Sequence, residues 1–245
     1  MIRPWLKFFR IVNLPTVPGD VLVGVAAVIA AGGRLLESFG PRPLAAAVGA
    51  SCALYLFGMA DNDLVGANTD RNRPIPDGEI SRSAAIFARG LCILAAIGFG
   101  LWGGLPSAWW TDAFVLACLV VCYNRTKISV FMGLCRGMNV LLGASVCCVP
   151  GVHLPTILAV AGAVTLWTVY IGLLTRYSSG EESDPAKKRF VGFLIGALVY
   201  LQLLVLLVCY VVKPSVSTRN LLVAGALTLV LLRILKRAFP KVSAS

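Results

Sequence analysis

The stretch PLAAAVGASCALYLFGMA, residues 43–60, runs directly into DNDLVGANTDRNRPIPDGEIS, residues 61–81. The first part contains no charged residue and is about as long as a helix that crosses a 30 Å hydrocarbon core. The second part has three aspartates within ten residues, followed by arginines and prolines. The junction predicts a membrane-spanning helix with a dense polar cluster at one end.

Similar apolar runs recur along all 245 residues, of which 58% are hydrophobic and only 13% charged, with a mean hydropathy of +0.84. A soluble domain has about 25% charged residues. The runs do not alternate as barrel strands do. We therefore predict an all-α, polytopic transmembrane helical bundle. Its eight spans are expected at 14–32, 43–60, 83–103, 107–123, 129–149, 155–176, 190–212 and 219–236.

The connections between these runs are short, which predicts one integral-membrane domain over residues 1–245. With the N-terminus inside, sixteen lysines and arginines fall in the inner loops and four in the outer ones. This bias predicts that both termini and the acidic loops are cytoplasmic. The expected location is a cell membrane.

The net charge of +11 could indicate nucleic-acid binding in a soluble protein. Here the basic residues lie in short loops, so they are interpreted as topology signals and contacts with anionic lipid. The eight cysteines lie in or beside apolar runs without a C-x-x-C pair, which argues against a zinc site. Nothing in the sequence indicates a protein partner.

The cluster after residue 60 contains Asp63 and Asp70, seven residues apart. If the helix continues, 100° per residue places both carboxylates on one face, two turns apart. Mg²⁺ prefers one or two carboxylates together with water and phosphate oxygens, and the arginine at 73 suits phosphate. The alternative is a solvated loop in which the aspartates balance arginines or cap the helix end.

A second acidic cluster, Glu181, Glu182 and Asp184, follows the sixth predicted span. It could face the first cluster and hold another metal ion, or it could pair with the basic residues around it. The stretch YNRTKISVFMGLCRGMNVLLGAS adds Arg125 and Lys127 in a loop.

Arg136 and Asn139 lie within the span that follows, one turn apart on one face. An arginine inside a span is costly and by default functional. An ion pair between helices is the structural alternative. The aromatic residues Trp167, Tyr170 and Tyr200 could line a pocket or serve only in packing.

These motifs together resemble the UbiA-type membrane prenyltransferase superfamily. Its first motif reads N-D-x-x-D-x-x-x-D, followed by R-P-x-P-x-G. Asn62, Asp63 and Asp70 match its first, second and last positions, and RPIPDGEIS matches the tail from Arg73. Gly66 stands where the family has its middle aspartate.

The stretch with C-R-G-x-N is similar to the EboC-like bacterial branch of that superfamily, a resemblance that implies the inner (cell) membrane of a bacterium. The second family motif, D-x-x-x-D, is present only as GEESD, and eight spans are apparent instead of the usual nine.

The resemblance implies a helical bundle around a cavity in which Mg²⁺ and a prenyl diphosphate bind, and from which the isoprenyl group passes to a lipophilic, usually aromatic acceptor. Asp63 and Asp70 would be the catalytic residues. The implied metal ligands are Asn62, Asp63, Asp70, Glu181 and Asp184. The implied substrate-binding residues are Arg73, Arg125, Lys127, Arg136 and Asn139. The alternatives are a catalytically degenerate homologue that binds an isoprenoid or serves in membrane assembly or trafficking, and a small-molecule transporter.

Overall fold

The structure is a computed structural model that describes residues 2–68, 70, 73–147, 153–178 and 184–238. In this part of the chain the secondary structure is helical, apart from turns and one isolated bridge residue. The helices are α1 (Ile2–Phe8), α2 (Thr16–Ala30), α3 (Pro41–Val65), α4 (Arg82–Gly103), α5 (Ser107–Thr126), α6 (Ser129–Cys147), α7 (Leu154–Ser178), α8 (Pro185–Val212) and α9 (Val216–Ala238). A short 3-10 helix, Ile11–Asn13, leads into α2.

The all-α prediction is confirmed, and a long helix lies at each of the eight predicted positions. Seven segments are long and apolar enough to cross a membrane: Ile11–Ala30, Pro41–Val65, Arg82–Gly103, Ser107–Thr126, Ser129–Cys147, Leu154–Ser178 and Arg189–Val212. The eighth predicted span, α9, is not among them, and it carries basic residues near both ends. The chain therefore has the character of a multi-pass integral membrane protein.

Helix α2 occupies the centre of the bundle and packs against α3, α6, α7, α8 and α9. Large apolar side chains are instead exposed on the outer helices, as at Phe87, Phe114 and Phe193. Exposed side chains of this size would be unfavourable in water. They are accommodated if lipid covers the outside of the bundle.

The contact between α2 and α6 is close because glycines on both helices remove the side chain at the crossing. A Cβ atom built on Gly143 would lie 1.9 Å from the carbonyl oxygen of Val21, and one on Gly24 would lie 1.9 Å from that of Val140. Small residues of this kind let membrane helices approach at backbone distance. This packing brings the start of α2 next to the polar residues of α6.

We expect Gly143→Ala to destabilise the bundle by about 2–3 kcal/mol, because the obstructing atoms are backbone and cannot rotate away. The matched control is Gly98→Ala on α4, where a Cβ would meet nothing within 4 Å. Unfolding in a denaturing detergent measures both variants. Equal stability of the two would contradict this account of the α2–α6 contact.

Candidate active site

A cavity of about 320 Å³ lies between the helices, in the half of the bundle where α3 and α7 end and α8 begins. Its walls are largely apolar. Three cationic residues contribute to them: Arg10, Arg136 and Lys236. Other polar lining residues are Asn13, Thr16, Tyr55, Tyr123, Asn124, Asn139, Thr175 and Ser178. A cavity of this composition suits a ligand with an apolar body and an anionic group.

The first acidic cluster lies where α3 ends, but its geometry differs from the predicted continuous helix. Helix α3 stops at Val65, and Gly66 follows it as the C-cap. Asp70 therefore lies beyond the helix, and the predicted alignment of Asp63 and Asp70 two helical turns apart is wrong. A turn in which the Asp70 amide donates to the Gly66 carbonyl at 2.8 Å brings Asp70 back towards the helix end.

Asp63 is the buried centre of this cluster. Its side chain has no exposed surface, and neither carboxylate oxygen has a hydrogen-bond partner among the described residues. One oxygen lies 3.7 Å from Arg10 Nη2 and 3.9 Å from Arg73 Nη1. Arg73 Nε also lies 4.0 Å from an Asp70 oxygen, so this arginine links the two aspartates. Buried charges of this kind require partners, and both arginines lie within ion-pair distance of Asp63 but beyond hydrogen-bond distance.

Lys127 joins the cluster from the end of α5, where its Nζ donates to Asn62 Oδ1 and lies over the Tyr123 ring. Burial is the main cause that lowers the pKa of the Lys127 ammonium. Lys127 and Arg10 are the two non-glycine residues with positive φ in the described part of the chain, at 57° and 45°. Such costly backbone conformations concentrate at functional sites.

Gly66 has a specific steric role beside Asp70. A Cβ on Gly66 would lie 2.3 Å from Asp70 Oδ2 and 2.6 Å from its Cγ. The Asp70 carboxylate therefore occupies the space that a side chain at position 66 would need. Gly66, which replaces the middle aspartate of the family motif, thus leaves space for the carboxylate of Asp70, the last aspartate of that motif.

Arg125 does not join these residues, contrary to the prediction. Its side chain is exposed, and Nη1 donates to the Val121 carbonyl at 3.4 Å on its own helix. The neighbouring Asn124 faces inward and donates to Asp61 at 2.9 Å. Since successive residues are rotated by 100°, Arg125 points away from the core. Asp61 also pairs with Arg89 at 2.9 Å, so this aspartate has a structural role.

Of the second acidic cluster, the structure describes only Asp184. Asp184 is the N-cap of α8, where its Oδ1 accepts from the amides of Ala186 and Lys187 at 2.8 and 3.2 Å. Glu181 and Glu182 lie outside the described residues, so a second metal site stays a prediction. The described residues include no group of three or more His, Cys, Asp or Glu side chains arranged to hold a metal ion.

Arg136 and Asn139 both line the cavity, but deeper than the acidic cluster. Arg136 forms an ion pair with Asp20 of α2, with 3.0 Å between Nε and Oδ2. Its Nη2 also donates to the Thr16 carbonyl at 3.0 Å. Asn139 accepts through Oδ1 from the Ser51 hydroxyl at 2.6 Å. Arg136 thus forms the ion pair between helices that was the structural alternative to a functional role. It also lines the cavity.

Asp20 is fully buried and also accepts at 2.7 Å from both Trp167 Nε1 and Gln202 Nε2. Trp167 is therefore part of this network. Tyr170 and Tyr200 make polar contacts elsewhere: Tyr170 donates to the Leu194 carbonyl, and Tyr200 accepts from Arg233. None of these three aromatic residues lines the cavity.

Sequence reasoning missed three residues at this site. Arg10 and Lys236 were interpreted only as topology signals, and nothing in their local pattern distinguishes them from other loop cations. Asp20 did carry a signal, because a carboxylate inside an apolar span is costly without a partner, and Arg136 is such a partner.

The fold and site define a membrane-embedded helical bundle with an internal cavity and a carboxylate–arginine cluster, which are joined by Arg10. The sequence model of the UbiA prenyltransferase family matches residues 21–240. The chain belongs to this family. No curated protein matches it in sequence.

Solved structures share the fold at low sequence identity. A structure reported for digeranylgeranylglyceryl phosphate synthase in membranes is 15% identical with a TM-score of 0.56, covering 99% of this chain and 91% of that one. A UbiA homolog from Archaeoglobus fulgidus is 13% identical with a TM-score of 0.58, covering 99% and 90%. The same archaeal homolog bound to DMAPP and Mg²⁺ is 15% identical with a TM-score of 0.55, covering 94% and 87%.

Proposed function

We propose that this chain is a membrane-embedded prenyltransferase that moves an isoprenyl group from a prenyl diphosphate to a lipophilic acceptor, with Mg²⁺ as cofactor. The observation that carries the proposal is the Asp63 carboxylate, buried among arginines beside a largely apolar cavity. Family membership supports it, as do the archaeal UbiA homolog structures bound to DMAPP or GPP with Mg²⁺.

The donor set at the end of α3 fits a hard divalent cation. Among the described residues neither oxygen of Asp63 accepts a hydrogen bond, and the Asp70 carboxylate lies close enough to share Arg73 with Asp63. Asn62 adds an amide oxygen. Mg²⁺ needs only one or two carboxylates when phosphate oxygens and water complete its coordination. When bound, it would neutralise charge on the departing diphosphate.

Three cationic residues near the metal ligands would then bind the diphosphate. Arg10, Arg73 and Lys127 surround the end of α3 and would hold the diphosphate. In the reaction the bond between the allylic carbon and the diphosphate oxygen breaks, and the electron pair leaves with the diphosphate. An electron pair of the acceptor forms the new bond to carbon, and the acceptor then loses a proton. The apolar cavity excludes water, which would otherwise capture the cation.

Catalytically degenerate isoprenoid binding is the second candidate. One observation favours it: Gly66 replaces the middle aspartate, which removes one carboxylate from the first motif. Such a protein would bind prenyl diphosphates with Mg²⁺ but would release no diphosphate.

The test uses the full-length chain in lipid nanodiscs with labelled geranyl diphosphate, Mg²⁺ and a panel of lipophilic aromatic acceptors. A prenylated product, with one diphosphate released per transfer, is the expected result. Mg²⁺-dependent binding without diphosphate release would select the degenerate alternative. Absence of binding to geranyl diphosphate and to longer prenyl diphosphates would refute both.

The orientation, the membrane and the branch of the family are also proposed. We propose that the acidic loops face the cytoplasm of a bacterial cell, that the protein lies in the inner membrane, and that it falls in the EboC-like branch. Cysteine labelling of the loops tests the orientation.

Gly66→Ala is expected to weaken Mg²⁺-dependent geranyl diphosphate binding by about tenfold, as perturbing the support of a metal ligand does. The added methyl group would displace the Asp70 carboxylate. Gly90→Ala on α4, where a Cβ meets nothing within 4 Å, is the matched control and should bind normally. Titration of binding against Mg²⁺ concentration measures both. Unchanged binding by Gly66→Ala would show that the position of Asp70 is unimportant.

A further inference from the structure

Asn139, which lines the cavity, lies deeper in the bundle than the acidic cluster at the end of α3. Ser51, which donates to Asn139, precedes Asp63 by twelve residues on the same helix α3. At 1.5 Å per residue, Ser51 and Asp63 lie at levels about 18 Å apart along the helix axis. Arg136 lies one turn from Asn139 on α6, on the side nearer the acidic cluster. A single diphosphate group is too short to contact both Asp63 and Asn139.

The deeper level presents hydrogen-bond donors to the cavity. Ser51 engages Asn139 through Oδ1, so the Nδ2 group has no hydrogen-bond partner among the described residues. The contacts of Arg136 with Thr16 and Asp20 involve Nη2 and Nε, which leaves Nη1 without a partner in the same part of the chain. Both residues are about nine-tenths or more buried, and both line the cavity. Buried donors are costly when they are not satisfied.

The charge at this level is balanced within the protein. Asp20 neutralises Arg136, and the carboxylate is further held by Trp167 and Gln202. An anionic ligand would disturb this pair, whereas a neutral oxygen can accept from Nη1 and Nδ2 without adding charge. An isoprenyl tail has no hydrogen-bond acceptor and cannot satisfy either donor.

We propose that Arg136 and Asn139 form a subsite for the acceptor substrate, and that this acceptor is a lipophilic molecule with a neutral hydrogen-bond-accepting oxygen such as a carbonyl. That the molecule bound here is the acceptor rests on the proposed transferase function. The preference for a neutral oxygen rests on the two donors and the Asp20 pair alone. The subsite lies deeper in the bundle than the acidic cluster, so the acceptor is elongated, with its oxygen remote from the carbon that reacts.

The experiment compares three probes of similar shape: methyl naphthyl ketone, ethylnaphthalene and naphthoate. Their dissociation constants are measured by calorimetry with the full-length protein in detergent, without prenyl diphosphate. The ketone should bind about tenfold more tightly than ethylnaphthalene, as expected for one well-formed hydrogen bond. It should also bind more tightly than naphthoate.

Asn139→Leu should reduce the preference for the ketone over ethylnaphthalene to about twofold or less, because one donor is lost. Asn139→Ala adds no bulk and serves if the leucine variant does not fold. The matched control is Asn220→Leu at an exposed position on α9, which should retain the full preference. Equal binding of ketone and ethylnaphthalene by the unmodified protein would overturn the proposal, and so would tighter binding of naphthoate.

Binding of geranyl diphosphate with Mg²⁺ is measured in the same variants to separate the two proposals. The Mg²⁺ concentration that gives half-maximal binding should change by about twofold or less in Asn139→Leu, because the residue is far from Asp63. Loss of geranyl diphosphate binding in this variant, with its fold intact, would assign Asn139 to the diphosphate and overturn the acceptor subsite. If the unmodified protein binds the ketone selectively but no prenyl diphosphate, the proposed function fails while the neutral-oxygen subsite stands.

Discussion

Asp63→Asn should lower diphosphate release from geranyl diphosphate by at least about a hundredfold, the scale seen when a key charge-stabilising group is removed from an active site. The substitution keeps the shape of the side chain but removes the negative charge at the centre of the cluster. Arg10 and Arg73, at 3.7 and 3.9 Å, would then repel a divalent cation without compensation. Release of labelled diphosphate in nanodiscs is the measurement.

The control for this variant is Asp77→Asn in the loop that follows the same motif. Asp77 is half-exposed and lies 4.0 Å from Lys7 Nζ, at the limit of an ion pair. It should retain activity within about twofold, since an exposed pair of this kind contributes little. If both variants lose activity equally, the effect comes from the general charge of the loop and not from a metal ligand. Full activity of Asp63→Asn would refute the proposed metal site.

The largest expected effect on stability is that of Asp20→Asn, at about 3–5 kcal/mol. The variant leaves the Arg136 guanidinium buried between α2 and α6 without its counter-charge. The contacts of Asp20 with Trp167 and Gln202 are also weakened, and these two residues anchor α7 and α8 to α2. The free energy of unfolding in mixed detergent micelles measures the loss.

A double-mutant cycle separates the ion pair from general disruption. Arg136→Met alone should also be strongly destabilising, because it leaves the Asp20 carboxylate unpaired. The double variant should cost less than the sum of the two single variants by about 1 kcal/mol or more. Lys7→Met, which removes the exposed pair with Asp77, is the control and should change stability by less than about 1 kcal/mol. Additive effects in the cycle would mean that Asp20 and Arg136 do not act as a pair.

Several features of this molecule follow from local sequence and were predicted from it. Long apolar runs can satisfy their backbone groups in a membrane only as helices, so the eight long helices were found at their positions. The polar end of the helix was also predicted at the right place: α3 ends at Val65, where Arg73 pairs with Asp63 and Lys127 donates to Asn62.

Other features depend on how a helix is rotated about its axis and on where it ends in a turn. The sequence pattern specifies neither. Arg125 points outward because Asn124 is the residue that faces inward to Asp61. Asp70 leaves the helix because α3 ends at Val65, and the space above Gly66 receives its carboxylate. The prediction for Asp70 assumed that the α3 helix continues past Val65. The prediction for Arg125 rested on its place in the sequence and did not consider which residue of α5 faces inward.

The sequence by itself determined the membrane-spanning helices and the polar end of α3, because hydropathy and motif spacing are local properties of the chain. Only the tertiary structure decided which charges meet. Asp20 and Arg136 are separated by 116 residues yet form a buried pair, since glycines let α2 and α6 approach at backbone distance. Arg10, near the start of the sequence, and Lys236, near its end, line the same cavity. Helix packing determines which residues far apart in the sequence come into contact. A single sequence gives the residues but not these contacts.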